Sequence, residues 1–328
     1  MHYEPYAQRT LAKLRSANEL YAKWMLRKVA HIDGAEALQT QEHLRTPPED
    51  GWEPINAGAT WGGEWNNLWL RLNVKIPQEA AGKSVYLRPD TGAVETLCFL
   101  RDVPCGIINS KNHFLGGEHS ALFLTQAAQA GEEFPVAFEC YAGHHCPGTQ
   151  PYENYGCDEP AEGAFSHVFR GVDVLVLDEA VHAMCFDLMT VLEAADLPAD
   201  NFLRRRARAA LDKVFVDLIQ DPANHSAEEI HASAQACRAD MADVLAAREG
   251  EDGTRGFVGI FGHSHMDSAW LWPMDETIRK CARTYSQALR LMERYPEYRF
   301  FQSSALHLDW MRQYYPAIFE GIRQRVLE

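Results

Sequence analysis

Apolar residues at Leu11, Leu14, Leu20, Trp24 and Val29 follow a 3.6-residue period, so the spacing predicts a helix over residues 6–33. The period is lost over residues 40–64, where Pro47-Pro48, Pro54 and Gly62-Gly63 break both helix and strand. From Trp65 the period becomes two. Every second residue of Leu70-Arg71-Leu72-Asn73-Val74-Lys75-Ile76 is apolar, which predicts a half-buried strand stopped by Pro77. Residues 85–88, 95–100, 121–125, 134–141 and 172–176 predict further strands. Short strands separated by Gly, Pro and Asn imply a β-sandwich-like domain over residues 61–195, preceded by a helix and irregular segment at 1–60.

Residues 196–254 return to a helical rhythm and read as a linker. Asp200-Asn201 can cap a helix through Leu203, Leu211, Val214 and Leu218. A second helix is expected after Ser226, with Glu228 and Glu229 in its first turn favouring the helix dipole. The last segment, 255–328, changes again. Phe257-Val258-Gly259-Ile260-Phe261 reads as a strand buried on both faces. Pro273 suits the first position of a helix whose apolar stripe is Ile278, Cys281, Tyr285, Ala288 and Met292. Residues 298–302 are strand-like, and Trp310, Met311, Tyr315, Ile318 and Ile322 return at helical spacing, with Pro316 restarting the helix. Strand, helix, strand, helix predicts the start of a parallel sheet or barrel. The fold class is therefore multidomain, α/β plus β. Two strands cannot close a barrel, so the chain is expected to be the N-terminal part of a longer protein.

Length and composition narrow the function. A chain of 328 residues suggests about two domains. Its 46% hydrophobic and 23% charged residues are those of an ordinary globular protein, which excludes fibrous and disordered classes. Lys and Arg total 31 against 46 Asp and Glu, a net charge of −15. That sign disfavours nucleic acid and anionic membranes and leaves neutral substrates open. There is no signal-peptide pattern and no run near the ~20 apolar residues of a membrane span, so a cytoplasmic location is expected. The eight cysteines form no C-x-x-C pair, which favours reduced thiols over disulfides.

The chemistry concentrates in Gly262-His263-Ser264-His265-Met266-Asp267-Ser268-Ala269-Trp270-Leu271-Trp272-Pro273. In an extended strand, His263, His265 and Asp267 would share one face. Imidazole nitrogen and carboxylate oxygen together suit Zn²⁺. The position, at the carboxyl end of an apolar strand, is where barrel enzymes hold their sites. The plain alternative is a hydrogen-bonded polar cluster.

This segment closely resembles the start of the catalytic domain of glycoside hydrolase family 38, the class II α-mannosidases. The likeness continues through Glu276-Thr277, Arg283-Thr284, Leu291-Met292, Tyr295-Pro296-Glu297, Phe301-Gln302-Ser303-Ser304 and Tyr314-Tyr315-Pro316, about 70 residues in all. The upstream β-rich region is similar to the N-terminal sandwich of bacterial and fungal cytosolic-type members, with no comparably sharp motif. The resemblance implies a (β/α)7-type barrel, one zinc ion held by His265 and Asp267, a retaining mechanism and mannose-containing oligosaccharides as substrates. It implies that Trp270 packs on the bound mannose, and that His263 is a supporting rather than a ligating residue. The nucleophile and further ligands are expected beyond Glu328, which would leave this portion inactive alone.

Other candidates have plainer readings. Asp275 and Glu276 stand in a first helical turn as dipole partners. His307 is a helix-start histidine, and Trp272 a core anchor. His144-His145-Cys146 looks metal-like, but adjacent histidines in a strand point to opposite faces, so a loop at the sandwich edge is expected. Arg204-Arg205-Arg206 reads as a solvated helix face. Two other functions stay open: a metal-dependent amidohydrolase, from the His263-x-His265 form, and a non-catalytic carbohydrate-binding sandwich. A homo-oligomer is also compatible with the sequence.

Overall fold

The computed structural model describes residues 3–109, 120–145, 162–246 and 258–328. The chain divides into two units, Met1–Arg27 with Val176–Val258, and Lys28–Leu175 with Gly259–Glu328.

The first unit is helical: α1 (Tyr3–Ala22), α2 (Glu179–Ala194), α3 (Phe202–Asp217) and α4 (Ala227–Leu245). Its core joins Leu14 and Tyr21 of α1 to Met184 and Leu188 of α2, Leu211 and Val214 of α3, and Met241 of α4. Each later helix starts on a polar side chain that satisfies otherwise orphaned amides. Asp178 accepts from the amides of Ala180 and Val181, Asn201 from Leu203 and Arg204, and Ser226 forms a capping box with Glu229. The expected starts near Asn201 and after Ser226 are thus observed. Helix α2 falls within the span read as sandwich.

The helix expected over 6–33 stops at Ala22. The amides of Lys23 and Trp24 bond the carbonyls of Leu20 and Tyr21, which tightens the chain into a turn. The following residues become a strand. In the second unit, strands β1 (Leu26–Ile32), β2 (Gly34–Thr40), β3 (Glu53–Asn56), β4 (Thr60–Gly62), β5 (Asn67–Lys75), β6 (Val85–Pro89), β7 (Glu95–Leu100), β8 (Val103–Asn109), β9 (Leu122–Thr125), β10 (Glu133–Tyr141), β11 (Ser166–Val168) and β12 (Val172–Leu177) build the sandwich. One sheet has the order β1-β12-β6-β9, a second β3-β2-β5-β10-β7-β8, and β11 pairs with β4 in a separate two-stranded sheet. Strand β1 is held by β12, a partner far along the chain, so its local helical spacing is overridden.

The stretch 40–64, expected to be irregular, contains β3 and β4. Strand β3 tolerates Pro54 because it is an edge strand. Strand β8 is the opposite edge and likewise carries Pro104; a two-residue loop, Arg101-Asp102, reaches it with φ of 51° and 61°. Gly62 is required where it stands. Its φ is 126°, and a Cβ there would lie 2.0 Å from the Phe165 carbonyl oxygen.

The central strands of the six-stranded sheet are covered on both faces. Leu68 and Leu70 of β5, Cys98 of β7 and Phe138 and Cys140 of β10 are buried and alternate with Asn67, Trp69, Glu95, Leu97, Phe99, Ala137 and Glu139 on the other face. That second face receives α5 (Met274–Arg294), α6 (Ala305–Tyr314) and α7 (Pro316–Leu327). Trp69, Leu97, Phe99 and Ala137 pack with Ile278, Cys281, Ala282, Tyr285, Trp310, Met311, Tyr315 and Ile318.

Strands β13 (Gly262–His263) and β14 (Phe300–Phe301) flank α5 and pair in parallel, Gly262 with Phe300 and His263 with Phe301. This is one strand-helix-strand crossover. The buried strand expected over 257–261 is not found in its described part. Val258, Ile260 and Phe261 are 81%, 85% and 67% exposed, because among the described residues β13 has only β14 beside it. A single parallel pair does not close a cylinder. Among the described residues no helix is long and apolar enough to cross a membrane.

Candidate functional site

The loop leaving β13 carries the residues singled out in the sequence. His265 Nε2 lies 3.3 Å from Asp267 Oδ1, with side chains 86% and 42% exposed. The two donors therefore meet at the surface, open to a ligand. His263 does not join them: its Nδ1 donates to the Phe301 carbonyl at 3.2 Å. The strand ends at His263, so a shared strand face for all three is not formed. Among the described residues, no three His, Cys, Asp or Glu side chains are grouped to hold a metal. His265 and Asp267 fit two positions of a zinc ion, one imidazole and one carboxylate, against the three or four protein ligands usually present.

The loop is pinned on both sides of the pair. Met266 packs against the core under α5. Ser268 Oγ shares a 2.7 Å hydrogen bond with His307 Nε2. His307 is buried and stacks on Trp310 at 5.4 Å, and burial pushes its pKa down, so it stays a neutral hydrogen-bonding partner. Ala269 has φ of 124°, a strained value for a residue with a Cβ. Trp270 follows, 58% exposed, with its ring edge-on to Trp272 at 5.5 Å. Trp272 is fixed by its indole N–H, which donates to Thr277 Oγ1, and by Lys280 Nζ 4.8 Å from the centre of its ring. A cavity of about 510 Å³ opens here, lined by His265, Asp267, Trp272, Lys280 and Arg283 among others.

Beneath the loop lies a feature missed in the sequence. Glu276, read there as a dipole partner, is fully buried. It pairs with Arg279 and Arg283, themselves 0% and 1% exposed. Arg279 also reaches Glu139 and Asn67, while Arg283 and Lys280 reach Glu95. Strand register explains the meeting: Tyr141 of β10 faces Asn67 of β5 and Glu95 of β7, and Glu139 lies two residues along the same face. Burial alone would raise the pKa of Glu276, but Arg283, Arg279 and Lys280 outweigh it and hold the carboxyl at about 2. The network carries three carboxylates and three cations and is thus neutral as a whole. Its signal was present as Glu276, Arg279, Lys280 and Arg283 at helical spacing beside the apolar stripe. Asp275 is exposed and pairs with Arg45 at 2.7 Å.

The remaining candidates are placed as follows. His144 stacks on Trp65 at 4.1 Å and its Nδ1 shares a 2.6 Å hydrogen bond with the Tyr141 hydroxyl. The amide of His145 donates to Glu64. Cys146 lies outside the described residues, as does Cys157; Cys98, Cys105, Cys140, Cys185, Cys237 and Cys281 carry free thiols. Arg205 and Arg206 lie over the Phe202 ring of α3.

In sequence order, a sandwich thus precedes a strand-helix-strand unit whose loop carries the His265-x-Asp267 pair. Residues 27–153 match the jelly roll domain of α-mannosidases, and residues 257–328 match the N-terminal domain of glycosyl hydrolases family 38. In these two segments the chain resembles the α-mannosidases of that family. It is 28% identical over 274 residues to "Alpha-mannosidase 2C1" of Homo sapiens, covering 83% of this chain and 25% of that protein. "Alpha-mannosidase G" of Dictyostelium discoideum is 21% identical over 97% of this chain and 27% of its own. "Alpha-mannosidase" of Saccharomyces cerevisiae is 26% identical over 81% and 24%. The chain thus spans about a quarter of the length of these relatives. A β-glucuronidase from Ruminococcus gnavus overlays on 47% of this chain and 30% of its own at 10% identity, with a TM-score of 0.32, too slight a likeness to bear on function.

Proposed function

We propose that this chain forms the sandwich and the opening of the catalytic domain of a zinc-dependent, retaining α-mannosidase that removes terminal α-mannosides from mannose-containing oligosaccharides. The observation that carries the reading is the convergence of His265 and Asp267 at 3.3 Å, in the same loop as the exposed Trp270 and inside the segment that matches the family 38 domain.

Zinc held by His265 and Asp267 would supply Lewis acidity and orient sugar hydroxyls. Its remaining ligands would come from groups outside the described residues. Trp270 offers a broad apolar surface to one face of a pyranose, and Trp272 with Thr277 keeps that surface from swinging. The Ser268–His307 bond fixes the backbone between the ligand pair and the platform. A retaining glycosidase works with two carboxylates about 5–5.5 Å apart. The buried Glu276 is neutralised by two arginines and is unsuited to that work, so the nucleophile is assigned to another residue. The orientation of His263 toward Phe301 weighs against an amidohydrolase site, which would use both histidines of His263-x-His265.

Calorimetric titration of Zn²⁺ into this chain tests the reading. One site is expected. His265→Ala and Asp267→Ala should each weaken it by at least the roughly 10–100-fold that losing an outer partner costs. Zinc affinity indifferent to both substitutions overturns the assignment. With an enzyme carrying this chain, proton NMR of aryl α-mannoside hydrolysis should show α-mannose as the first product, and β-mannose first would exclude retention.

A further inference from the structure

We propose that His144, a residue of the sandwich, positions the Trp270 platform of the catalytic loop through Trp272. The inference rests on the reading of Trp270 as a sugar platform for its functional meaning, but its physical content is independent of that reading.

Four aromatic rings stand in series. Trp65 stacks on His144 with ring centres 4.1 Å apart and planes at 15°. His144 meets Trp272 edge-on at 6.4 Å, and Trp272 meets Trp270 edge-on at 5.5 Å. The first two rings belong to sandwich loops and the last two to the loop that carries His265 and Asp267. His144 and Trp272 make the join, each touching one ring of its own origin and one of the other. Its own orientation is set by the Tyr141 hydroxyl on Nδ1 at 2.6 Å. The two sandwich loops are zipped together: the Trp65 amide donates to the Gly143 carbonyl and the Ala142 amide to the Asn66 carbonyl, both at 2.9 Å.

Strain brackets the series. Trp65 has φ of 66°, an outlier for a bulky residue, and Ala269, next to Trp270, has φ of 124°. Such conformations persist only where surrounding contacts over-determine them, and they gather at sites where side-chain placement matters. Here one strained residue starts the ring series and the other immediately precedes its end. A ring placed edge-on to its neighbour has a preferred orientation, so displacing one member of the series turns the next. Trp270 is exposed, and Trp272 is its ring partner among the described residues.

The experiment uses this chain labelled with 5-fluorotryptophan. Its eight tryptophans give eight ¹⁹F lines, assigned by single Trp→Phe substitutions. His144→Ala should shift or broaden the lines of Trp65, Trp272 and Trp270 and leave that of Trp24, in the helical unit, in place. His144→Phe, which keeps a flat ring, should restore the Trp270 line; His144→Gln, which keeps a hydrogen-bonding group without a ring, should not. If His144→Ala does not fold, Trp272→Leu removes a ring one link later and must move the Trp270 line by itself. A Trp270 line unmoved by either substitution overturns the proposal, as does rescue by Gln in place of Phe. Adding methyl α-mannoside separates this from the mannosidase reading. In the wild type with zinc the Trp270 line should respond, and His144→Ala should need at least threefold more sugar. A Trp270 line that follows His144 but ignores the sugar keeps the positioning role and sinks the platform.

Discussion

Replacing Glu276 with alanine removes one of three carboxylates from a buried, neutral cluster and leaves one uncompensated positive charge among Arg279, Arg283 and Lys280. Breaking a buried pair from one side costs about 3–5 kcal/mol. The pKa gives a second route to the magnitude. The Glu276 carboxyl sits at about 2 instead of its ordinary 4.5, a gap of about 2.5 units and hence about 3 kcal/mol at neutral pH. The folded value is the lower one, so between pH 4.5 and 2 the unfolded chain binds a proton that the folded chain does not. This contribution is therefore complete above pH 4.5, declines as the pH falls through the window, and amounts to about 1 kcal/mol at pH 3. Urea unfolding of wild type and Glu276→Ala, followed by tryptophan fluorescence, should show a difference of about 3–5 kcal/mol at pH 7 that narrows toward pH 3. Asp275→Ala, one residue away but exposed, should cost less than about 1 kcal/mol at either pH. The reasoning fails if Glu276→Ala costs no more than Asp275→Ala at pH 7, or if its cost is the same at both pH values.

Two further substitutions probe one element of each unit. Asp178→Ala strips two amides of their acceptor at the start of α2 and removes the partner of His231 Nδ1, so the helical unit should lose about 1–2 kcal/mol, read by urea denaturation with circular dichroism. Gly62→Ala forces a Cβ against the Phe165 carbonyl at a φ of 126°, and should destabilise the sandwich by roughly 1–3 kcal/mol or more, read as a lowered thermal midpoint.

Local pattern carried much of the architecture. Strands β5, β6, β7, β9, β10 and β12 and helices α3, α4, α5 and α7 stand close to where period and caps predict them, because each has a run of its own long enough to show one rhythm. The elements that escaped depend on partners distant in sequence. Leu26–Ile32 is a strand because β12 lies beside it, and Pro54 and Pro104 sit in strands only because β3 and β8 are edges. In the site, the pairing of His265 with Asp267 was legible from their i, i+2 spacing, although a loop and not a strand brings them together.

The buried cluster shows why charge is the hardest signal to read locally. On α5 alone, Glu276, Arg279, Lys280 and Arg283 form an ordinary polar stripe, consistent with a face turned to water. They become a core only because β5, β7 and β10 present Asn67, Glu95 and Glu139 in register opposite them. The same stripe is what separates this sheet face from a purely apolar one. A helix held only by Ile278, Cys281, Ala282 and Tyr285 could slide along Trp69, Leu97 and Phe99 at small cost, since apolar contact is non-directional. Paired charges at fixed donor and acceptor positions have one register in which all are matched. The cluster thus fixes where along the sheet α5 begins, and with it where the loop bearing His265, Asp267 and Trp270 is held.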